Sequence, residues 1–368
     1  MKKIFFTVLI LFFMPTFSLA VEELPEIELE NTEEETLDFE GKVEKNNIYL
    51  DEEDKLKLHL DGHLIKELKV GAVYNGGFSQ HFQDNPSDYY FGYDINFLDT
   101  WVEGKFKDDK TSFKINVNPI RHIPKRNYMA TLWQDVWIRH DFNEHQSITA
   151  GYFRTPNGKE GSMSSYVQDL AYRSQIARTF ANARATGVRN SGRYKYFDYD
   201  IGVFDSARYF DKCMQGFEVV AKGTVKPLEF ADGKYGHLNI MASINSGKRK
   251  ESYTVVNAAV SYNYKKFTID GEYAHANGYN GAVNMSTNKA QGFYTSIKYE
   301  LTKKVHLVAR YDLFDPNTSI SGNNIEEYSV GINYYPFKHV KLMLDYVFRN
   351  NHATTTSNQI IFITQFQL

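Results

Sequence analysis

A single cysteine, Cys213, stands in a chain of 368 residues, so no disulfide within the chain is possible. An exported protein of this length must then be held by backbone pairing and packing alone. Long apolar runs are missing as well. The one candidate, Ile4 to Phe13, falls short of the roughly 18 to 20 residues that a spanning helix needs. It follows Lys2 and Lys3 and precedes Ser18-Leu19-Ala20, the order of a signal peptide and not of an anchor. Residues 1–20 are therefore expected to be removed near Ala20, leaving a chain that begins at Val21. Motifs that carry chemistry are also lacking. No glycine-rich phosphate cradle occurs, and His59 and His63, spaced for one helix face, have no glutamate following the first histidine as a metalloprotease requires. No exposed Ser–His pair can be named, and Cys213 reads as an incidental loop residue. We therefore expect no enzyme, catalytic residue, metal, cofactor or nucleic-acid partner.

What is present is tyrosine and phenylalanine, 26 and 27 residues, beside only nine prolines and a mean hydropathy of −0.48. Strands that are apolar on one face only reconcile abundant aromatics with a hydrophilic average. From Val21 to about Leu60 the chain is acidic and nearly free of aromatics, with Glu33-Glu34-Glu35 and Asp51-Glu52-Glu53-Asp54 as its densest runs. Such a segment buries no core by itself. It reads as a periplasmic tail or a short oligomerising helix, and the spacing of Leu56, Leu60 and Leu64 favours some helix near its end.

From Lys66 the pattern becomes alternation. Val256, Ala258, Val260, Tyr262 and Tyr264 interleave with Val255, Asn257, Ala259, Ser261 and Asn263, and the same holds for runs beginning at Phe267, Phe293, Val305, Tyr328 and Val340. Their alternate partners include Lys298, Arg310, Asp312, Asn333, Lys341 and Asp345. That is period two. Strands are predicted at 66–79, 91–106, 111–118, 132–142, 146–155, 186–195, 198–205, 215–226, 236–245, 253–264, 267–276, 291–301, 304–314, 325–335, 339–349 and 358–368. Sixteen is an even number, as bacterial single-chain outer-membrane barrels require. The connections alternate too, apart from a turn at 227–235 that is longer and an outside connection at 247–252 that is shorter than the rule predicts. Those at 107–110, 143–145, 196–197, 265–266, 302–303 and 336–339 are tight, and those at 80–90, 119–131, 156–185, 277–290 and 315–324 are long. The predicted fold is all-β: residues 66–368 form a 16-stranded antiparallel transmembrane β-barrel with short periplasmic turns and long external loops, after an acidic segment 21–65. Tyr264, Phe267, Tyr299, Tyr334, Phe337 and Phe348 at strand ends suit the aromatic girdles of such a barrel. The last strand puts Ile360, Phe362, Phe366 and Leu368 on one face, although Ile361 and Ile363 blur the other.

Residues 66–368 carry 36 Lys and Arg against 29 Asp and Glu, a balance of +7 in a chain whose total is −3. The longest connection, 156–185, holds Lys159, Arg173, Arg178 and Arg184, and the next strand continues Arg189, Ser191, Arg193 and Lys195 opposite Val188 and Tyr194. Lipid exposure costs Arg or Lys roughly 2 to 4 kcal/mol near mid-membrane, so the basic face is the lumen. Guanidinium suits carboxylate and phosphate through its paired donors. Two readings stand: the arginines bind anions, or they balance Asp94, Asp200, Glu218 and Asp270.

Gly151-Tyr-Phe153-Arg-Thr-Pro156-Asn-Gly158-Lys-Glu160, Arg184-Ala-Thr-Gly187-Val188 and Ile201-Gly202-Val203-Phe204 resemble the phosphate-selective porin O and P family over about 147–205. In that family a G-x-F-x-x-P-x-G-x-E strand runs into the constriction loop. The resemblance implies a trimeric sixteen-stranded outer-membrane channel whose third external loop folds inward and whose arginine ladder passes small anionic solutes such as phosphate. Arg173, Arg178 and Arg184 fall in the matching loop, and Arg189 and Arg193 on the matching strand. Lys248, Arg249 and Lys250 would form a basic cluster collecting anions at the mouth. The alternatives are a general or sugar-accepting porin, and a plugged barrel that serves as an adhesin or scaffold.

Overall fold

The structure is a computed structural model that describes residues 47–50, 56–59, 64–83, 90–120, 128–181, 183–208, 215–281 and 285–368. The expected signal peptide, most of the acidic segment, His63 and Cys213 lie outside these residues, as does the side chain of Asp94.

Two short strands come first, β1 (Asn47–Leu50) and β2 (Leu56–His59). The sixteen that follow are β3 (Ile65–Gln83), β4 (Tyr90–Phe106), β5 (Thr111–Val117), β6 (Trp133–Asp141), β7 (Gln146–Arg154), β8 (Arg184–Arg193), β9 (Phe197–Asp205) and β10 (Phe217–Val225). Then come β11 (His237–Lys248), β12 (Ser252–Tyr264), β13 (Phe267–Asn280), β14 (Met285–Thr302), β15 (Val305–Asp315), β16 (Ile325–Phe337), β17 (Val340–Asn351) and β18 (Thr356–Gln367). Each of β3 to β18 pairs antiparallel with its sequence neighbours, and β18 pairs with β3 from Gln367↔Val73 to Ser357↔Gln83. Ala72 and Leu368 exchange both backbone hydrogen bonds, at 3.2 and 2.8 Å. The sheet thus closes with every predicted strand in place. Closure satisfies the backbone polar groups between strands and removes the edges, which is the condition for crossing lipid with strands. No helix among the described residues is long and apolar enough to cross a membrane.

Alternation decides the faces. Val256, Val260, Ile269, Tyr273, Ile297, Val330, Ile332, Leu344 and Tyr346 are exposed on the outside of the sheet, whereas Arg310, Asp312, Asn333, Lys341 and Asp345 are buried within it. An apolar outer band with charges inside is a barrel built for lipid around a wet core. Rings meet on the outer face near the strand ends, Phe267 with Tyr299 at 4.7 Å and Tyr328 with Phe348 at 6.1 Å between centroids.

The expectation of helix near Leu56 gives way to strand. β2 pairs with the first residues of β3, Leu56↔Val70 to His59↔Glu67, and β1 pairs with β2. The reason is geometric: β18 ends opposite Val73, so the start of β3 would otherwise leave its hydrogen-bonding edge unpaired. With the backbone extended at His59, the helical spacing proposed for His59 and His63 is not realised there.

Candidate functional site

Residues 155–181, in the connection from β7 to β8, fold into the lumen. Thr155 N–H donates to the Ala183 carbonyl at 3.0 Å and closes the neck. Beyond it the loop is held by side chains that alternation had directed inward. Glu272 on β13 accepts the backbone N–H groups of Lys159 (2.8 Å) and Glu160 (3.2 Å), Asp345 on β17 accepts that of Ala171 (2.6 Å), and Asp312 on β15 accepts that of Gln175 (2.7 Å). Gly158 permits the first of these contacts. Its φ is +68°, and a Cβ there would stand 2.5 Å from Glu272 Oε1, so glycine satisfies both the left-handed backbone and the close approach. Loop carbonyls are met by donors from the wall: Asn333 to Asp169 (2.8 Å), Arg310 to Tyr172 (2.9 Å), Gln365 to Tyr166 (3.1 Å) and Lys341 to Gln168 (2.5 Å).

The rest of the anchor is apolar. A short helix, α2 (Gln175–Phe180), follows α1 (Tyr128–Leu132) in the chain. Ile176 and Phe180 of α2 pack on Val255, Ala274, Ala276, Ala290, Tyr294 and Phe314 of the inner wall. The Phe180 ring lies edge-on to Tyr279 (5.1 Å) and Phe314 (5.7 Å). Ile361 and Ile363, which blurred the last strand, are buried with Met343 and Val347 against Ala171 and Tyr172 of the loop. Beneath the loop the inner wall thus carries two apolar patches among the charged groups that hold it.

The five arginines take different positions. Arg173 is buried inside the loop and donates to the carbonyls of Glu160 and Met163. Arg184 pairs with Asp135 of β6 through Nε (3.0 Å) and Nη2 (3.3 Å). Arg178 reaches Glu327 of β16 at 2.8 Å, lies over the Tyr172 ring, and keeps 31% of its side chain exposed. Arg189 and Arg193 share Asp200 of β9 at 3.7 and 2.8 Å. Lys222 of β10 joins them, 3.8 Å from the other Asp200 oxygen. The Nε of Arg189 is buried without a hydrogen-bond partner, and its guanidinium sits 5.0 Å from the Phe153 ring. Val188 is exposed on the outer face, so the basic side of β8 faces the lumen. Lys248, Arg249 and Lys250 stand at the tip between β11 and β12, where Arg249 donates to Gln215 at 2.9 Å.

Of the acidic residues expected to balance arginine, Asp200 does so. Asp270 instead takes Lys159 of the loop at 2.9 Å, and Glu218 takes Arg208 in a fully buried pair that Tyr253 also reaches. Sequence reasoning missed Lys222, Arg208 and the loop-holding carboxylates Glu272, Asp312 and Glu327. For all but Arg208, which lies in the connection between β9 and β10, the signal was the parity of their strands. What parity lacks is the loop, which decides which inward charges are spent on holding it.

A closed sixteen-stranded barrel with an apolar exterior, a charged lumen and a loop seated across that lumen defines a porin, a channel and not an enzyme, in an outer membrane. The chain belongs to the family described as phosphate-selective porin O and P, whose model matches residues 76–250 and 224–367. Among curated proteins no sequence matches. Solved structures share the fold at low identity. An anion-selective porin from Comamonas acidovorans aligns with TM-score 0.64 and 10% identity over 82% of this chain and 99% of its own. OmpF of Salmonella typhi, in complex with daunomycin, gives 0.61 and 13% over 82% and 98%. The trimer form of OmpT from Vibrio cholerae gives 0.57 and 10% over 82% and 99%.

Proposed function

We propose that this porin lets small hydrophilic solutes diffuse passively and favours anions over cations. The observation that carries the reading is the group on the inner wall of β8 to β10, where Arg189, Arg193 and Lys222 surround one carboxylate, Asp200. Three cations against one anion leave a surplus of two positive charges facing the path. Screening is weak inside a narrow, partly dehydrated channel, so such a surplus attracts anions and repels cations. Arg173 and Arg184, spent on loop carbonyls and on Asp135, act in this reading as positioning residues, and Arg178 is the loop arginine nearest the open lumen. Lys248, Arg249 and Lys250 would gather anions at the mouth. The preference is moderate and not strict for phosphate, because Asp135 and Glu327 each neutralise an arginine. That same neutralisation is what favours the second reading, a general porin.

We further propose a homotrimer, supported by the trimer form of the OmpT relative, with an acidic periplasmic segment preceding the barrel and signal cleavage near Ala20. Chemical crosslinking in native membranes is expected to trap trimers; monomers alone would count against it. For the channel itself, purified protein in a planar bilayer under a potassium chloride gradient is expected to show a reversal potential of the sign set by chloride. A value of zero, or one of the sign set by potassium, would reject the anion preference.

A further inference from the structure

The rim at the end of the short turns, the periplasmic end of such a barrel, is uneven in charge. Between β3 and β11 its cations pair with carboxylates: Lys66 and Lys105 share Asp109 at 2.8 and 3.3 Å, Arg139 holds Asp141 at 2.7 Å, Lys195 holds Asp232 at 3.1 Å and Lys226 holds Asp198 at 2.9 Å. The turns from β12 to β13 and from β14 to β15 differ. Residues 261–269 hold only Asp270's neighbours and no acid, residues 301–307 likewise none, and Lys265, Lys266, Lys303 and Lys304 are exposed and form no ion pair among the described residues. Glu300, just before the second turn, shares by alternation the lumenal side of Lys298, which pairs with Asp169 of the loop at 3.2 Å. Lys266 donates to the Leu301 carbonyl at 3.4 Å and Lys304 to the Pro336 carbonyl at 3.2 Å, which joins neighbouring turns into one arc. Lys265 lies over the Tyr264 ring, 5.0 Å from its centroid, and holds a left-handed φ of +54°. Glycine or asparagine adopts that conformation at less cost. A lysine strained into such a turn marks a position kept for its charge.

Beside the arc the outer face is apolar. Phe267, Leu301 and Tyr334 are exposed there, and Phe337, at 73%, is the most exposed large apolar side chain among the described residues. Ile269, Ile297 and Leu307 continue that face along the strands. A ligand matching both parts has an anionic head and apolar tails. We propose that the arc from β12 to β15 is a collar for anionic phospholipid headgroups of the membrane leaflet at this rim, with phosphatidylglycerol as the type of ligand. Exposed lysines at headgroup level attract lipids of net negative charge. A zwitterionic head brings its own ammonium beside its phosphate and gains little from four more. Free phosphate offers nothing to Phe267 and Phe337, and in open water screening leaves it weakly held. The collar lies outside the pore and is independent of which ions the pore prefers.

The test uses the full-length protein in non-ionic micelles holding equal amounts of phosphatidylglycerol and phosphatidylcholine, with native mass spectrometry counting the lipids that stay bound. Heat-modifiable gel mobility confirms that each variant is folded. One lysine at an anionic lipid surface accounts for about a fivefold preference, so wild type is expected to retain phosphatidylglycerol over phosphatidylcholine by at least about fivefold. Lys265→Gln, Lys266→Gln, Lys303→Gln and Lys304→Gln together should abolish that preference. Lys195→Gln with Lys226→Gln, which removes paired cations from the same rim, should leave it little changed. Ammonium phosphate replacing ammonium acetate at equal ionic strength should displace no lipid. Wild type without the preference, or a folded quadruple variant that keeps it, would overturn the collar. Equal loss in the paired-lysine control would assign the preference to overall charge, and displacement by phosphate would assign the arc to a free ion; either result would overturn the collar too.

Discussion

Replacing Phe180 by alanine removes the largest apolar anchor of the in-folded loop without changing any charge, so its effect on current reports loop position and not the field. Phe180 is 1% exposed and meets Tyr279 and Phe314 edge-on. Truncating a buried phenylalanine costs about 3 to 5 kcal/mol. That cost falls on the seating of the loop, because the strand ladders around the barrel do not pass through this residue. Against it stand the four backbone amides accepted by Glu272, Asp345 and Asp312, each worth about 1.5 to 3 kcal/mol as a bond to a charged acceptor. The polar holds, roughly 6 to 12 kcal/mol before solvent competition, exceed the loss. The loop is therefore expected to stay in the lumen while residues 175–180 fluctuate. Single-channel recordings should show wider open-channel noise and a modestly higher conductance, with unchanged reversal potential and heat-modifiable mobility. A folded Phe180→Ala channel with wild-type noise and conductance would refute the claim that the apolar patch seats the loop.

Other outcomes follow from the same geometry. Arg208→Ala strands Glu218 as an unpaired buried carboxylate, a change that costs about 3 to 5 kcal/mol. The unfolding midpoint in detergent should drop, and drop less in Arg208→Met combined with Glu218→Gln. In the exposed turn between β4 and β5, hydrogen bonds from Lys66 and then Lys105 hold the Asp109 carboxyl below the usual aspartate range. A depressed carboxyl lends its stabilisation above the ordinary aspartate value and loses it as pH falls through the depressed one. Titration followed by NMR should accordingly place Asp109 low in the wild type and nearer the ordinary value in Lys66→Gln; equal values in both would contradict the pairing.

The barrel was legible because lipid imposes one rule on all sixteen strands. Val256, Ile297 and Leu344 had to face out, so Asn257, Lys298 and Asp345 had to face in, and the short turns marked which strand ends lay together. The seating of the loop was not legible. Glu272, Asp312 and Asp345 read as members of a lumenal field, and only tertiary contact shows that their oxygens are occupied by backbone amides of residues 159–175. Ile361 and Ile363 read as noise for the same reason, since an apolar inner face makes sense only beneath a loop. The five arginines were found as residue types at positions, but their partners lie up to 149 residues away, as with Arg178 and Glu327, and periodicity carries no such information. Near Leu56 the leucine spacing suggested helix, whereas the free edge of β3 dictated strand.

The central claim is that the surplus charge around Asp200 sets ion preference, and neutralising that surplus tests it most directly. Arg189→Gln, Arg193→Gln and Lys222→Gln together take the group from +2 to −1. Even with the screening of bulk water as a lower bound, each unit charge about 8 Å from a passing ion contributes about 0.2 to 0.5 kcal/mol, so three contribute about 0.6 to 1.5 kcal/mol, of opposite sign for an anion and a cation. The measurement is the reversal potential of the triple variant beside wild type, in one potassium chloride gradient, at low and at high salt. The account expects the anion-to-cation permeability ratio to fall by about tenfold or more at low salt, since the anion loses what the cation gains, and by less at high salt, where screening is stronger. A folded triple variant that keeps the wild-type ratio at low salt would contradict it.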